Sequence, residues 1–197
     1  MATKINELMN NNDNLKSAQA GCGSVVMDMQ DSLLQVIKGS DQLQSSVILQ
    51  LKIFSILNVK QCLTEQVPSK LGKTNAEILT TDSTLQVFPK DTFSAFGCEG
   101  FVRWVKGNDI KHLFISGIET PICIYQTCLS ALRENLKVTV ISDCIGARRI
   151  ADSSVILSQL SSFGCHVIPL ETVAYSMLES SNHTEFRSVS KLIRDRL

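Results

Sequence analysis

Three side chains carry most of the chemistry this sequence offers: a carboxylate at Asp28, an ammonium at Lys90 and a thiol at Cys123. Each lies at or just past the end of an apolar run of strand character, SVVMDM, LQVFPK and HLFISGI in turn. Ligands of open parallel sheets bind beyond the carboxyl ends of the strands, so residues there are placed to react. The three together supply a proton acceptor, a cation that favours a thiolate, and a nucleophile. Around Cys123, Thr120 is a good N-cap, Pro121 falls at the first helical position and Cys123 at the third, which predicts a thiol in the first turn of a helix. Free backbone N–H groups and the helix dipole favour an anion there, lowering a thiol's pKa and offering a cradle for an oxyanion. Each residue also has an ordinary structural reading: a small buried apolar cysteine, an aspartate capping the next helix, a solvated loop lysine. Convergence at strand ends joins the three, but spacing alone does not choose.

Such a trio needs a scaffold that gathers distant strand ends. SVVMDM (24–29) reads as a strand buried on both faces, and 33–58 as one or two helices. KQCLTEQ (60–66) is a strand, followed by a loop with Pro68 and Gly72, the strand LQVFPK (85–90) and a short helix around 94–106. HLFISGI (112–118), KVTVISD (137–143) and HVIPL (166–170) are further strands; 121–136, 153–164, 172–180 and 184–196 are helical. Parallel strands need helical crossovers, so this alternation predicts a doubly wound three-layer α/β sandwich with a mostly parallel six-stranded sheet. At 197 residues the chain suits one domain, over 21–197. The Asn-rich residues 1–20 bury too little apolar area to offset their ordering entropy and are expected to form a disordered polar tail.

Composition excludes several functions. Lys+Arg equals Asp+Glu at 19 each, so no overall field draws the protein to nucleic acid or an anionic membrane, and no run is long enough to span one. The seven cysteines are odd in number, scattered and mostly within apolar runs, and the N-terminus has no leader character; this predicts reduced thiols in the cytoplasm. A dinucleotide-binding oxidoreductase fits poorly, because the glycines at 21–23 precede their strand instead of following it. His112, His166 and His183 are not at ligand spacing, so no metal is expected.

The segments VVMDMQDSLL, VFPKDTFSAF and ISGIETPICIYQTCLSALRENLKVTVISDC resemble, in order, the Asp-bearing strand, the Lys loop and the Cys motif of isochorismatase-like cysteine hydrolases, with similarity from about Gly23 onward. CLTEQVPSKLG and NHTEFRSVSKLI are similar to the eukaryotic isochorismatase domain-containing branch. The resemblance implies an Asp28, Lys90 and Cys123 triad. It also implies a cis peptide at Ile118–Glu119, which aims the N–H of Glu119, with that of Cys123, at a substrate oxygen. It implies cleavage of the C–N bond of a small amide or related acyl compound through a Cys123 thioester, without a cofactor. Nicotinamidases of this family bind a metal through an aspartate and histidines after the second strand. Here that loop reads Thr64-Glu65-Gln66-Val67-Pro68, without histidine.

Glu65 and Gln66 are candidates to orient a polar substrate, with loop capping as the alternative for the carboxylate. Phe93, Phe96 and Ile145 are candidate pocket walls, or ordinary core. Relatives in the family are commonly dimers or tetramers, so a homo-oligomer is expected. The stripe Phe186, Val189, Leu192 and Ile193 could serve as its interface or pack within the subunit. A catalytically silent binding, scaffold or redox-sensitive protein is the alternative to the enzyme.

Overall fold

A strand without a polar face must be covered on both sides, and the first strand, β1 (Cys22–Met27), is buried along its whole length. The computed structural model describes residues 21–196, so the expected polar tail, 1–20, lies outside the described residues. The other strands are β2 (Lys60–Gln66), β3 (Gln86–Lys90), β4 (His112–Ile118), β5 (Lys137–Gly146) and β6 (His166–Ile168). They form one six-stranded sheet in the order β3-β2-β1-β4-β5-β6, and every pairing is parallel.

Alternate residues of the strands feed two separate cores. On one face Val26, Leu63, Phe114 and Ile141 pack with Phe54 and Leu51 of α2 (Ser40–Ile56), with Val173 and Met177 of α8 (Leu170–Leu178) and with Val189 of α9 (Phe186–Arg194). On the other, Val25, Met27, Leu113, Ile115 and Val140 pack with Phe101 and Trp104 of α5 (Glu99–Gly107), Cys128 of α6 (Tyr125–Arg133) and Leu160 of α7 (Ile150–Ser162). Fully burying a side chain such as Phe54 or Phe101 contributes about 2–3 kcal/mol. The expected three layers result.

The remaining short helices lie near the strand ends: α1 (Asp31–Leu34), α3 (Pro68–Leu71) and α4 (Ala76–Thr81). The last two occupy the stretch expected to be loop. The helical region 33–58 divides at Gly39, whose φ of 76° lies in the left-handed region. The helix expected from 121 begins as a wide π turn, Thr120–Ile124, before α6. Thr120 does not cap it, because its hydroxyl donates to the carbonyl of Gly146 at 3.1 Å. The apolar stripe of α9 packs within the subunit: Val189 is fully buried, and Phe186, Leu192 and Ile193 lie against the same core. It is therefore not the exposed interface offered as one reading. Among the described residues no helix is long and apolar enough to cross a membrane.

The chain builds outward from β1 to β3, then returns to the far side of β1 with β4. Strand order therefore reverses between β1 and β4, and the region beyond their carboxyl ends is where open parallel sheets bind ligands. Gly117 marks the closest approach there: a Cβ on it would run into the Met27 backbone, and its φ of 100° suits only glycine well.

Candidate active site

The chain leaves β1 at Asp28, whose φ of 55° is a left-handed conformation that aspartate tolerates better than most residues. Its amide donates to the Thr64 carbonyl at 3.0 Å, and the Thr64 hydroxyl donates to Asp28 Oδ1 at 2.7 Å. The other carboxylate oxygen, Oδ2, accepts from Lys90 Nζ at 2.8 Å. Lys90 ends β3, the edge strand, and pairs in register with Gln66 at the end of β2, so its stem extends past β2 to reach Asp28. Both members of this ion pair are almost fully buried. A buried pair persists only when its remaining valences are satisfied, and here Thr64, Gln66 and the Thr92 carbonyl supply them.

Cys123 lies in the π turn beyond β4, with Sγ 3.7 Å from Lys90 Nζ and 4.0 Å from Gln66 Oε1. The peptide Ile118–Glu119 is cis. Asp28 and the backbone N–H of Glu119 both act on the thiol electrostatically, in opposite directions. Sequence reasoning predicts a depressed thiol pKa, whereas the structure pushes it up to about 12. Burial is the largest cause, with Cys123 only 7% exposed, and the Asp28 charge acts in the same direction. Lys90 and the Glu119 N–H pull downward without prevailing.

Asp28, Lys90, Cys123, Gln66 and the Glu119 amide thus converge. The other candidates lie around them. Glu65 is buried, and its Oε1 accepts from the Thr74 amide at 2.7 Å and the Thr74 hydroxyl at 3.0 Å, so it serves the loop after β2. Phe93 is 58% exposed, Phe96 packs edge-on to Phe101, and Ile145 pairs with Gly117 near the end of β4. A depression of about 520 Å³ opens next to Lys90 between Pro68, Pro89 and Cys98. His112 and His166 lie at the opposite ends of their strands, 6.4 Å apart, where burial pushes His112 down to about 4.

Two partners escaped sequence reasoning. Thr64 fixes Asp28, and Gln30 clamps the end of β2 by accepting from the Gln66 amide and donating to the Gln66 and Gly72 carbonyls. Their only signal is a polar residue inside a buried run, which shows a partner is needed without saying which.

Comparison with known proteins shows what the chain and its fold are similar to. The model of the isochorismatase domain matches residues 23–172. Isochorismatase domain-containing protein 2 of Bos taurus is 30% identical over 171 residues, covering 85% of this chain and 80% of the relative. Among solved structures, a MAR1 ribonuclease of Caenorhabditis elegans superposes with a TM-score of 0.83 at 24% identity, over 89% of this chain and 91% of that one. The YcaC gene product of Escherichia coli, described as an octameric hydrolase of unknown specificity, superposes with a TM-score of 0.78 at 20% identity, over 91% and 96% of the two chains.

Proposed function

The chain belongs to the isochorismatase domain family, and from that footing we propose that it is a cysteine hydrolase cleaving the C–N bond of a small amide or related acyl compound. The observation that carries this reading is the position of one ammonium, Lys90 Nζ, 2.8 Å from a carboxylate oxygen and 3.7 Å from a thiol sulfur, at the point where strand order reverses.

The raised thiol pKa defines the order of steps. At neutral pH Cys123 carries its proton, so the nucleophile must be made during the reaction by transfer of that proton to Asp28. The thiolate then attacks the substrate carbonyl carbon beside Lys90. A C–S bond forms, and the oxygen takes the negative charge within reach of the Glu119 and Cys123 backbone N–H groups. Asp28 returns its proton to the nitrogen as the C–N bond breaks and the amine leaves. Water, deprotonated by Asp28, cleaves the thioester, and the sulfur recovers its proton. Glu65 and Gln66 are engaged with the chain itself in the loop where nicotinamidases hold their metal, so the reading involves no metal and predicts turnover that survives chelation. Phe93 and Ile145 are proposed to flank the substrate.

Unpaired thiols at all seven cysteines suit the reducing cytoplasm, which completes the proposal together with self-assembly like that of the octameric bacterial structure. With the α9 stripe packed internally, the exposed Val36, Ile150, Val155 and Phe163 are among the apolar side chains left for such contacts.

Intact-protein mass spectrometry after incubation with a panel of small primary and secondary amides tests the chemistry. An acyl adduct on Cys123 that disappears in Cys123→Ser supports it; no adduct and no amine release across the panel would sink it.

A further inference from the structure

We infer that Gln66 is a positioning residue whose carboxamide holds the Lys90 ammonium where it faces Asp28 and Cys123 together. A lysine ammonium is a compact charge with three donors on a flexible stem, and an ion pair alone would let it settle wherever the carboxylate draws it. Here Asp28 Oδ2, Gln66 Oε1 and the Thr92 carbonyl take those donors. Gln66 Oε1 is the acceptor that also contacts the sulfur, at 4.0 Å, so it draws the ammonium toward Cys123.

The carboxamide is itself fixed. Gln66 Nε2 donates to the Asp91 carbonyl at 3.0 Å, which turns the oxygen toward Lys90. The Gln66 main chain is held by the fully buried Gln30, whose side chain accepts from its amide at 2.7 Å and donates to its carbonyl at 3.0 Å. Neutrality matters as much as position. A carboxylate of the same shape would accept from Lys90 equally well, yet would place a second anion beside the sulfur and oppose the thiolate.

The inference deepens the reading above, in which Cys123 is the reacting atom, but its test needs no substrate. Alkylation of Cys123 by iodoacetamide is followed by mass against pH in the wild type, Gln66→Leu and Gln66→Glu, with thermal melts to confirm folding. Gln66→Glu is expected to alkylate at least about tenfold more slowly at neutral pH, with its midpoint shifted upward. Gln66→Leu is expected to lose about three- to tenfold, and to lose nothing further in a Lys90→Met background, because it acts through Lys90. Wild-type rates in both Gln66 variants, or losses that add in full to that of Lys90→Met, would overturn the inference. Should Lys90→Met not fold, the two Gln66 variants decide alone. A protein that alkylates as described but hydrolyses no amide would sink the hydrolase reading and leave this one standing.

Discussion

Cys123 beside Asp28 and Lys90 has a counterpart in Cys144 beside Asp143 and Arg196, the same three kinds of group gathered at a different place on the sheet. In the second cluster Arg196 donates to Asp143 Oδ2 at 2.7 Å and to the Ser46 hydroxyl at 2.9 Å. Asp143 Oδ1 accepts from the Leu170 amide at 2.7 Å, and the Cys144 thiol donates to the Ser46 carbonyl at 3.5 Å. Burial raises this thiol as well, helped by the Asp143 charge. The groups match, yet their partners differ. Around Cys144 they tie together the end of β5, α2, the start of α8 and the residues after α9, and the sulfur is wholly enclosed. Around Cys123 the cation lies close to the sulfur, the Glu119 N–H favours its charged form, and strand order reverses between β1 and β4 beside it. A thiol, a carboxylate and a cation do not make a site on their own. A cation close to the sulfur, at the point where strand order reverses, sets the first cluster apart.

The comparison breaks most decisively at the sulfurs. Cys123→Ser is expected to lower turnover by at least about a thousandfold, because a hydroxyl is a far poorer nucleophile beside the same carboxylate. Cys144→Ala is expected to leave turnover within about twofold while costing about 1–3 kcal/mol of stability through the cavity it leaves. Steady-state kinetics and urea unfolding of the two variants separate the roles, and a comparable activity loss in both would erase the distinction.

The carboxylates give the next largest contrast. Asp28→Asn removes the proton acceptor and is expected to lower turnover by about a hundredfold or more. It also removes a charge that raises the Cys123 pKa and leaves Lys90 in place, so iodoacetamide is expected to react faster near neutral pH than with wild type. Activity and reactivity then move in opposite directions. Asp143→Asn should move neither, and should cost about 1–2 kcal/mol of stability. Slower alkylation of Asp28→Asn would show that the carboxylate does not oppose the thiolate.

Much of this was legible in the sequence because buried parallel strands read as apolar runs, and such runs end at Asp28, Lys90 and just before Cys123. Register was not. That Met27 faces Thr64 and Gln66 faces Lys90 is settled by pairing between segments far apart in the chain, so neither the clamp on Asp28 nor the role of Gln66 has a local signature. Thr120 shows the limit of capping rules: the hydroxyl suited to an N-cap bonds to Gly146, because β5 continues past its predicted end and brings a carbonyl within reach. The thiol departs from the expectation for a related reason. The dipole and the cation could be inferred from spacing, but the desolvation that outweighs them depends on the whole fold.

Alkaline titration tests where the two clusters should behave alike. The unfolded chain loses a thiol proton near pH 9.0, whereas folded Cys123 keeps it to about 12 and folded Cys144 is also raised. Between those values the folded state holds the extra proton, so each thiol's contribution is complete below the unfolded pKa and is lost as pH rises. The slope is at most about 1.4 kcal/mol per pH unit per thiol. Urea midpoints are expected to fall from about pH 9 upward, and Cys123→Ser and Cys144→Ala should each flatten the decline. The smallest effect is expected at the second cation. Arg196 and Asp143 are 31% and 27% exposed, so solvent screens their pair, and Arg196→Ala should cost about 1 kcal/mol with turnover unchanged. Lys90→Ala, by contrast, leaves Asp28 buried without its partner and removes the charge beside the sulfur, so it should abolish turnover and lower stability together. A fall in turnover on Arg196→Ala would mean that the β5 clasp also shapes the turn that carries Cys123, through Gly146 and the Thr120 hydroxyl that bonds to it.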